Sequence, residues 1–283
     1  MLLVEALREA AARLGGAGVD RPEVDARLIA GDLLGCPPLE VGLRGREECD
    51  ASFLERYRAL IERRATREPL HHILGAAPFG AGELKVGEGV FIPRPETEIL
   101  ADRAARLLAD KKSPVAVDLC AGAGSLATYL AREVEGASVH AVEADPKAVP
   151  WLRRNAEPLG VECHEGDARD AGVLSELRGA VDVVVANPPY VPDGAEVAPE
   201  VHFDPDVAVY GGPTGVEFTA RLLPVALGLL KPGGWFGVEH DDTTAEATRV
   251  LLKEAGFVEV GTLRDLAGRE RFAVGRRPEE PGD

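Results

Sequence analysis

The chain of 283 residues is 45% hydrophobic and 28% charged, an ordinary globular composition with enough length for two domains. Its formal net charge of -16 counts against nucleic acid as a partner, because non-specific affinity for a phosphate backbone comes mostly from lysine and arginine. No apolar stretch approaches the roughly 18 residues of a membrane span and the first residues lack a signal-peptide pattern, so we expect a cytoplasmic protein.

The first 75 residues are predicted to form a small helical domain. Apolar residues recur at helical spacing over 3–14, and this helix should stop at Gly15-Gly16. A second helix is predicted to begin at Asp20, whose side chain can cap it ahead of Pro22, and to continue to about residue 34.

A third amphipathic helix follows Asp50 and should end before Pro69, because the residue preceding a proline disfavours the helical conformation. Its polar side carries a row of arginines, namely Arg56, Arg63, Arg64 and Arg67. Such a row is most often a solvated helix face, and a docking surface is the alternative.

A glycine-rich linker and a longer α/β segment follow. Residues 76–95 predict a β-hairpin, with strands at 84–86 and 90–92. From residue 96 onward, strand-like apolar runs alternate with helical patterns, which is typical of the doubly wound class with parallel strands. The final strands, 257–263 and 271–276, are joined by a link too short for a helix and must pair antiparallel. We expect residues 276–283 to be disordered.

A glycine-containing turn follows the first parallel strand, 115–119. Small residues over 120–125 let the backbone approach a ligand there. Asp118 precedes the turn and could orient it or meet an amino group of the ligand. Glu143 ends the next strand, where a carboxylate characteristically accepts hydrogen bonds from ribose hydroxyls.

The pattern of glycines separates two kinds of nucleotide ligand. The dinucleotide fingerprint G-x-G-x-x-G is incomplete after Gly122 and Gly124. S-adenosylmethionine has no pyrophosphate and needs only the turn and the ribose acid, so it is the predicted cofactor. Asp167, after the third strand, could accept from the adenine amino group, and capping of a following helix is the alternative.

The tetrapeptide Asn187-Pro188-Pro189-Tyr190 follows strand 181–186 directly, at the end of the sheet where open α/β folds bind ligands. The Asn187 amide and the Pro188 carbonyl could hold both hydrogens of an NH2 group, while Tyr190 stacks on the planar group that bears it. This pattern predicts methyl transfer to a planar, weakly nucleophilic nitrogen. A plain Asn-Pro-Pro turn is the alternative.

Other segments add a resemblance that covers nearly the whole chain. They are residues 68–75 (EPLHHILG), 91–98 (FIPRPETE) and 269–271 (RER). With the glycine turn and the tetrapeptide, they resemble the HemK-like protein-(glutamine-N5) methyltransferases that modify peptide-chain release factors. The PRPETE stretch is the most specific, because NPPY also occurs in methyltransferases that act on adenine or guanine nitrogens.

The resemblance implies a class I S-adenosylmethionine-dependent methyltransferase fold, a seven-stranded doubly wound sheet whose last two strands pair antiparallel. It divides the chain into a substrate-recognition domain (1–75), a hairpin linker (76–95) and a methyltransferase domain (96–283). It also implies the site residues. By the resemblance, the cofactor would contact Gly122, Gly124, Glu143, Asp167 and Asn187. From their places beside these residues, we also expect contacts with Asp118, Cys120, Ala121 and Ala168. The glutamine side chain would contact Asn187, Pro188, Pro189 and Tyr190, in a pocket lined by Phe91, Arg94 and Thr97.

One departure from the family lies in the glycine turn. The family usually has glycine at position 120 and threonine or serine at 121, where this chain has Cys120 and Ala121. The cysteines as a set are scattered and form no C-x-x-C pair, so neither a disulfide framework nor a metal site is indicated.

The leading hypothesis is methylation of the glutamine in the Gly-Gly-Gln tip of a class I release factor, with S-adenosylhomocysteine as product. One alternative keeps the chemistry and changes the acceptor to a ribosomal-protein glutamine or an exocyclic base nitrogen. Another is a cofactor-binding protein without turnover. The acidic charge disfavours the base.

Overall fold

The computed structural model describes residues 1–279, and the chain forms two compact units. Among the described residues, the first unit consists of Met1–Ala76 and Ala198–Phe203, and the second of Ala77–Val197 and residues 204–279. Part of the tail predicted to be disordered, residues 280–283, lies outside the described residues, whereas Arg276 at its start ends a β-strand.

The first unit is helical, as predicted. Its helices are α1 (Leu3–Gly16), α2 (Pro22–Leu34), α3 (Pro38–Leu43), α4 (Ala51–Ala65) and α5 (Leu70–Leu74). The apolar faces meet around Leu14, Ile29 and Tyr57, and the Tyr57 hydroxyl donates to the Ala26 carbonyl at 2.9 Å. Asp50 caps α4 by accepting from the Phe53 amide at 2.7 Å.

Two details of this unit differ from the prediction. Asp20 does not cap α2, because the helix begins one residue later, with Arg21 at the cap position and Pro22 in the first turn. Proline fixes its φ near the helical value, so the helix starts there without a side-chain acceptor. The short helices α3 and α5 were not predicted, since single turns contain too few residues to show a periodicity.

The arginine row, whose last member Arg67 lies beyond the end of α4, is not simply a solvated face. Arg64 is 6% exposed and bonds to Asp25 at 2.7 Å and to Glu200 at 3.0 Å. Arg67 bonds to the same Glu200 at 2.7 Å, and Arg63 pairs with Glu68. Burial alone would raise the pKa of Glu200, but its hydrogen bonds from the two arginines lower that pKa to about 2. The interpretation as a solvated face is therefore wrong for Arg64. Its burial comes from tertiary contacts, which the spacing of residues along one helix does not show.

The hairpin lies earlier in the chain than predicted. Its strands are β1 (Ala76–Phe79) and β2 (Gly82–Lys85), with a turn at Gly80, whose φ is +57°. Residues 90–92 form no strand. Val90 and Ile92 are instead buried in the core of the second unit, so their apolar character reflects packing rather than strand pairing.

The second unit continues with alternating helices and strands. In chain order they are α6 (Glu98–Leu108), β3 (Val115–Leu119), α7 (Ser125–Glu133), β4 (Ser138–Glu143), α8 (Val149–Ala156), β5 (Glu162–Glu165), β6 (Val181–Ala186), β7 (Val191–Pro192), α9 (Asp206–Val209), β8 (Tyr210–Gly212), α10 (Glu217–Leu229), β9 (Leu230–Glu239), α11 (Ala245–Glu254), β10 (Val258–Arg264) and β11 (Glu270–Arg276). Single 3-10 turns occur at Pro95–Thr97 and Ser175–Leu177.

The main sheet confirms the predicted fold class. Within residues 1–279 it has seven strands in the order β10-β11-β9-β6-β3-β4-β5. Strands β9, β6, β3, β4 and β5 are parallel, and β11 pairs antiparallel with both β10 and β9. The carboxyl ends of the parallel strands therefore meet at one edge of the sheet, where ligands bind in this class.

Both faces of the sheet are covered by helices. On β6, Val183 and Val185 point into a core that includes α6, α7 and α8, while Val184 points into the opposite core against α10 and α11. Every residue of β6 is buried, as expected for a parallel strand between two helical layers. In the part of the chain that the structure describes, no helix has the length and apolar character to span a bilayer.

Candidate functional site

The turn between β3 and α7 has a strained residue at its start. Cys120 has φ +68°, a left-handed conformation that side chains other than glycine rarely adopt. Burial raises the pKa of its thiol well above the ordinary value, and the acidic side chains of Glu143 and Asp118 add to the effect. A neutral thiol therefore occupies the position where the family usually has glycine.

The two glycines of the turn have separate reasons to be glycine. Gly124 has φ +88°, and a Cβ added there would lie 3.0 Å from the Leu152 side chain. Gly122 has φ +55°, but an added Cβ would meet no described atom within 4 Å. The backbone at Gly122 therefore faces open space beside the sheet edge, as a ligand-binding turn requires.

Two acids flank this turn, as predicted. Glu143 accepts from the amide of Gly122 at 2.7 Å with one oxygen and from the amide of Asp145 at 2.7 Å with the other. Each oxygen keeps a further lone pair for a ligand hydroxyl. Burial raises the pKa of Glu143, and these backbone hydrogen bonds lower it.

Asp118 is the more unusual of the two acids. It is 1% exposed, and its Oδ2 accepts from the Ala127 amide at 3.0 Å. Its Oδ1 is buried and has no hydrogen-bond partner among residues 1–279. Burial raises the pKa of Asp118 to about 8, against the lowering effect of the Ala127 bond. Buried polar atoms are nearly always paired, so an unpartnered buried oxygen is unusual in a folded protein.

Asp167 is already engaged by a neighbour. Its Oδ1 accepts from the Arg169 amide and Nε, both at 2.8 Å, and its Oδ2 pairs with the Arg169 guanidinium at 2.7 Å. The hydrogen bonds from Arg169 lower the pKa of Asp167, despite an opposing effect of burial. The chain after Asp167 turns rather than entering a helix, so the helix-cap alternative is wrong. Ala168 beside it is buried.

The tetrapeptide that follows β6 lies next to the glycine turn, because Ala186 of β6 is in register with Leu119 of β3. The Asn187 Nδ2 donates to the hydroxyl of Thr97 at 3.4 Å, and the Tyr190 hydroxyl donates to Glu239 at 3.1 Å. The structure thus brings Thr97, from the PRPETE stretch, into contact with Asn187 at the start of the tetrapeptide.

Glycines that follow β7 in the chain pack closely against the backbone of the tetrapeptide. A Cβ added to Gly211 would lie 2.5 Å from the Pro189 carbonyl oxygen, and one added to Gly215 would lie 2.4 Å from the Tyr190 carbonyl oxygen. Strand β7, which follows the tetrapeptide, pairs with β8, which contains Gly211. Sequence reasoning missed these glycines, although the run YGGPTG at 210–215 carries a signal of close backbone packing.

The other predicted pocket residues form a second contact group. The Arg94 guanidinium lies 4.9 Å from the centre of the Phe91 ring and bonds to Asp204 at 2.8 Å. Asp204 also accepts from the Ile92 amide at 3.3 Å. Burial raises the pKa of Asp204 to about 6, which the Arg94 charge opposes. This pairing fixes the PRPETE stretch to the segment after the tetrapeptide.

A cluster of potential metal ligands was also missed. Ligand atoms of His140, Glu162 and His164 lie within 4.8 Å of one another on β4 and β5. The two imidazoles are 3.2 Å apart, and the second ring nitrogen of His140 lies 3.1 Å from the Ser138 hydroxyl. Burial lowers the pKa of the His140 imidazole, and hydrogen bonds to Ser138 and His164 account for its contacts without a metal ion.

Comparison with known proteins extends over the whole chain. A family model described as the PrmC N-terminal domain matches residues 5–75, and one described as the methyltransferase small domain matches residues 95–202. The chain is 48% identical to a release factor glutamine methyltransferase of Corynebacterium glutamicum, over 98% of this chain and 99% of that protein. A protein of the same name from Mycolicibacterium smegmatis is 42% identical over 96% of each.

Solved structures show the same fold. A methyltransferase from Pyrococcus furiosus is similar with a TM-score of 0.50 and 19% identity, over 69% of this chain and 88% of that one.

Proposed function

Because the chain belongs to the release factor glutamine methyltransferase family, we propose that it methylates the side-chain nitrogen of a glutamine in a class I peptide-chain release factor. The methyl donor in this proposal is S-adenosylmethionine, and the acceptor is the glutamine of the Gly-Gly-Gln tip. The proposed reaction takes place in the cytoplasm.

The arrangement of the tetrapeptide carries the proposal. Asn187 follows a strand whose neighbour leads into the glycine turn, so an acceptor at the tetrapeptide lies beside a nucleotide held by that turn. Pro188 and Pro189 are buried and have no amide hydrogens, so this stretch of backbone presents carbonyl acceptors. Two acceptors are what a primary amide, with its two N–H hydrogens, requires.

The residues around the turn suit S-adenosylmethionine. The unpartnered Oδ1 of Asp118 can accept from the ammonium group of the cofactor, and Glu143 retains lone pairs for ribose hydroxyls. When bound, S-adenosylmethionine supplies an electrophilic methyl group on a positively charged sulfur. The ammonium charge favours the ionised form of the buried Asp118 carboxyl, and this pairing stabilises the bound cofactor. We propose that Cys120, Ala121, Gly122 and Gly124 border the cofactor, with Asp167 and Ala168 on the adenine side.

The protein residues mainly orient the acceptor. An amide lone pair is delocalised into the carbonyl, so the amide must be held with its nitrogen aligned towards the methyl donor. Hydrogen bonds from the amide NH2 to Asn187 and to the Pro188 carbonyl draw electron density onto the nitrogen, and Tyr190 stacks on the amide plane. The nitrogen loses its proton to solvent after it gains the methyl group. Phe91, Arg94 and Thr97 line the surroundings of this site.

A methylation assay tests the proposal. The purified chain is incubated with deuteromethyl S-adenosylmethionine and a bacterial class I release factor, and the peptides are analysed by mass spectrometry. The chain itself contains no glutamine, so any methylated glutamine comes from the substrate. We expect one labelled methyl group on the Gly-Gly-Gln glutamine and none on a release factor with alanine at that position.

Other outcomes separate the alternatives. Equal labelling of the alanine-substituted release factor, or labelling only of ribosomal protein or RNA in a cell extract, would overturn the proposal. Tight binding of S-adenosylmethionine by calorimetry without any transfer would favour a binding protein without turnover. The Asn187→Ala variant should lose transfer while it still binds the cofactor through the turn.

A further inference from the structure

The last residue of β9 links motifs that are far apart in the sequence. Glu239 is 2% exposed, and its Oε2 accepts from the Thr97 hydroxyl at 2.6 Å. Its Oε1 accepts from the Tyr190 hydroxyl at 3.1 Å. Thr97 in turn accepts from the Asn187 Nδ2 at 3.4 Å. One buried carboxylate therefore contacts both ends of the tetrapeptide, directly at Tyr190 and through Thr97 at Asn187.

This chain of hydrogen bonds has a direction. A carboxylate can only accept, and a hydroxyl has a single proton to donate. Because Thr97 donates its proton to Glu239, it can only accept from Asn187. Asn187 must therefore turn its NH2 group towards Thr97, which leaves its Oδ1 pointing away from Thr97. The charge on Glu239 thus determines which end of the Asn187 amide is free for a ligand.

We propose that Glu239 is a positioning residue, which sets the orientation of the Asn187 amide through Thr97 so that Oδ1 accepts from the substrate NH2 group. This inference rests on the proposed function, because it assigns a purpose to the amide oxygen in glutamine binding. A flipped Asn187 would present an NH2 group to the NH2 group of the substrate, and neither could accept. Glu239 itself does not contact the substrate.

The surroundings of Glu239 permit the ionised form near neutral pH. Burial raises its pKa to about 7, and hydrogen bonds from Thr97 and Tyr190 together with the charge of Arg271 oppose the rise. Glu96 adds a smaller raising effect. A protonated Glu239 would itself donate a hydrogen bond and would no longer force Thr97 to donate. The direction of the chain should therefore depend on pH.

Substitutions that keep the shape but change the direction test the proposal. Glu239→Gln can donate to Thr97, and Thr97→Val removes the hydroxyl while retaining the volume. We expect kcat to fall roughly 100-fold in each, as when an oriented catalytic hydrogen bond is lost. The KM for the release factor and the affinity for S-adenosylmethionine should change much less. Thr97→Ser, which retains the hydroxyl, should restore most of the rate.

Two further observations distinguish positioning from a general structural effect. The kcat of the parent should rise as pH increases through about 7, and Glu239→Gln should lack this limb. Asp182→Asn is the matched control, because Asp182 is also a buried acid but lies at the opposite end of the neighbouring strand β6. This control should retain the parent's kcat and its rise of kcat with pH, whatever the effect of the substitution on stability.

The hydrogen bond that the Asn187 NH2 group donates to Thr97 can be followed without any turnover. The chain has only two asparagines, Asn155 and Asn187, so a protein labelled with 15N-asparagine gives two side-chain NH2 pairs by NMR. Asn155 donates to the carbonyls of Lys85 and Ala123 at 2.9 Å each and serves as an internal reference. We expect solvent exchange of the Asn187 pair to accelerate in Glu239→Gln and in Thr97→Val, while the Asn155 pair is unchanged.

The outcomes separate this inference from the proposed function. Unchanged kcat and unchanged Asn187 exchange in Glu239→Gln would overturn the inference, even if the parent methylates release factor normally. A parent that transfers no methyl group counts against the proposed function, and the NMR result still decides whether Glu239 orients Asn187. Equal loss of kcat in Asp182→Asn would also overturn the positioning role.

Discussion

Replacing Cys120 with glycine should leave the protein more stable than replacing it with alanine, the reverse of the usual order. Cys120 has φ +68°, so any residue with a Cβ is strained at this position. Alanine removes the thiol but keeps the strain. Glycine removes both the thiol and the strain, so the two variants differ chiefly in the strain of the backbone at position 120.

The magnitude follows from two opposing contributions. A left-handed conformation costs an L-residue about 1–2 kcal/mol. Glycine loses more backbone entropy on folding than alanine, at a cost of about 0.5–1 kcal/mol. The central values of these ranges, about 1.5 and about 0.75 kcal/mol, leave glycine favoured at position 120 by about 0.75 kcal/mol. In a unit of this size, 1 kcal/mol corresponds to about 2–4 °C in Tm.

Thermal unfolding of the two variants, followed by circular dichroism, measures the difference. Ala121→Gly is the matched control, because Ala121 is adjacent and buried but does not have a positive φ. That substitution should lower Tm, since glycine gains nothing there. If the alanine variant at position 120 is as stable as the glycine variant, the strain argument for Cys120 is refuted.

Further predictions concern the buried ion cluster, the glycines behind the tetrapeptide and the pH dependence of stability. Arg64→Ala should cost about 3–5 kcal/mol in urea unfolding, because Asp25 loses its buried partner and Glu200 keeps only Arg67. Arg56→Ala on the exposed side should cost under about 0.5 kcal/mol. Gly211→Ala should sharply reduce methyl transfer, because its Cβ would lie 2.5 Å from a carbonyl oxygen of the tetrapeptide, while Gly228→Ala, with no described atom within 4 Å of its Cβ, should retain full activity. Burial holds the pKa of Glu239 at about 7 instead of 4.5, so the folded state binds more protons in that window. The unfolding free energy of the parent relative to Glu239→Gln should therefore fall by about 3 kcal/mol between pH 4 and pH 8, and a difference that stays constant with pH would contradict the assignment.

Several features could be predicted from the chain because the signals are local. The alternation of strand-like and helix-like runs indicated a parallel doubly wound sheet, and the short link before β11 required an antiparallel final pair. The glycine turn after β3 and the tetrapeptide after β6 were recognised as contiguous motifs. Parallel strands align their carboxyl ends, so the proximity of these two motifs followed from the fold class.

Other features depend on contacts between residues far apart in the chain. Glu239 is separated from Thr97 by 142 residues, and no local pattern marks the end of β9 as part of the site. The sheet order places β9 beside β6, which brings its last carboxylate to the tetrapeptide. The helical spacing of Arg64 likewise fits a solvated face, and only its tertiary contacts with Asp25 and Glu200 show that it is buried.

The sequence by itself determined the class of fold and the places of the glycine turn and the tetrapeptide within it, because backbone geometry and periodic burial depend on neighbouring residues. Only the tertiary structure decided that Val90 and Ile92 pack in a core rather than pair in a hairpin, and that Cys120 is left-handed. It also decided that the Glu239 carboxylate lies at the tetrapeptide. Burial of an ionisable group and the direction of its hydrogen bonds depend on which elements pack together, and that packing is not encoded in any short segment.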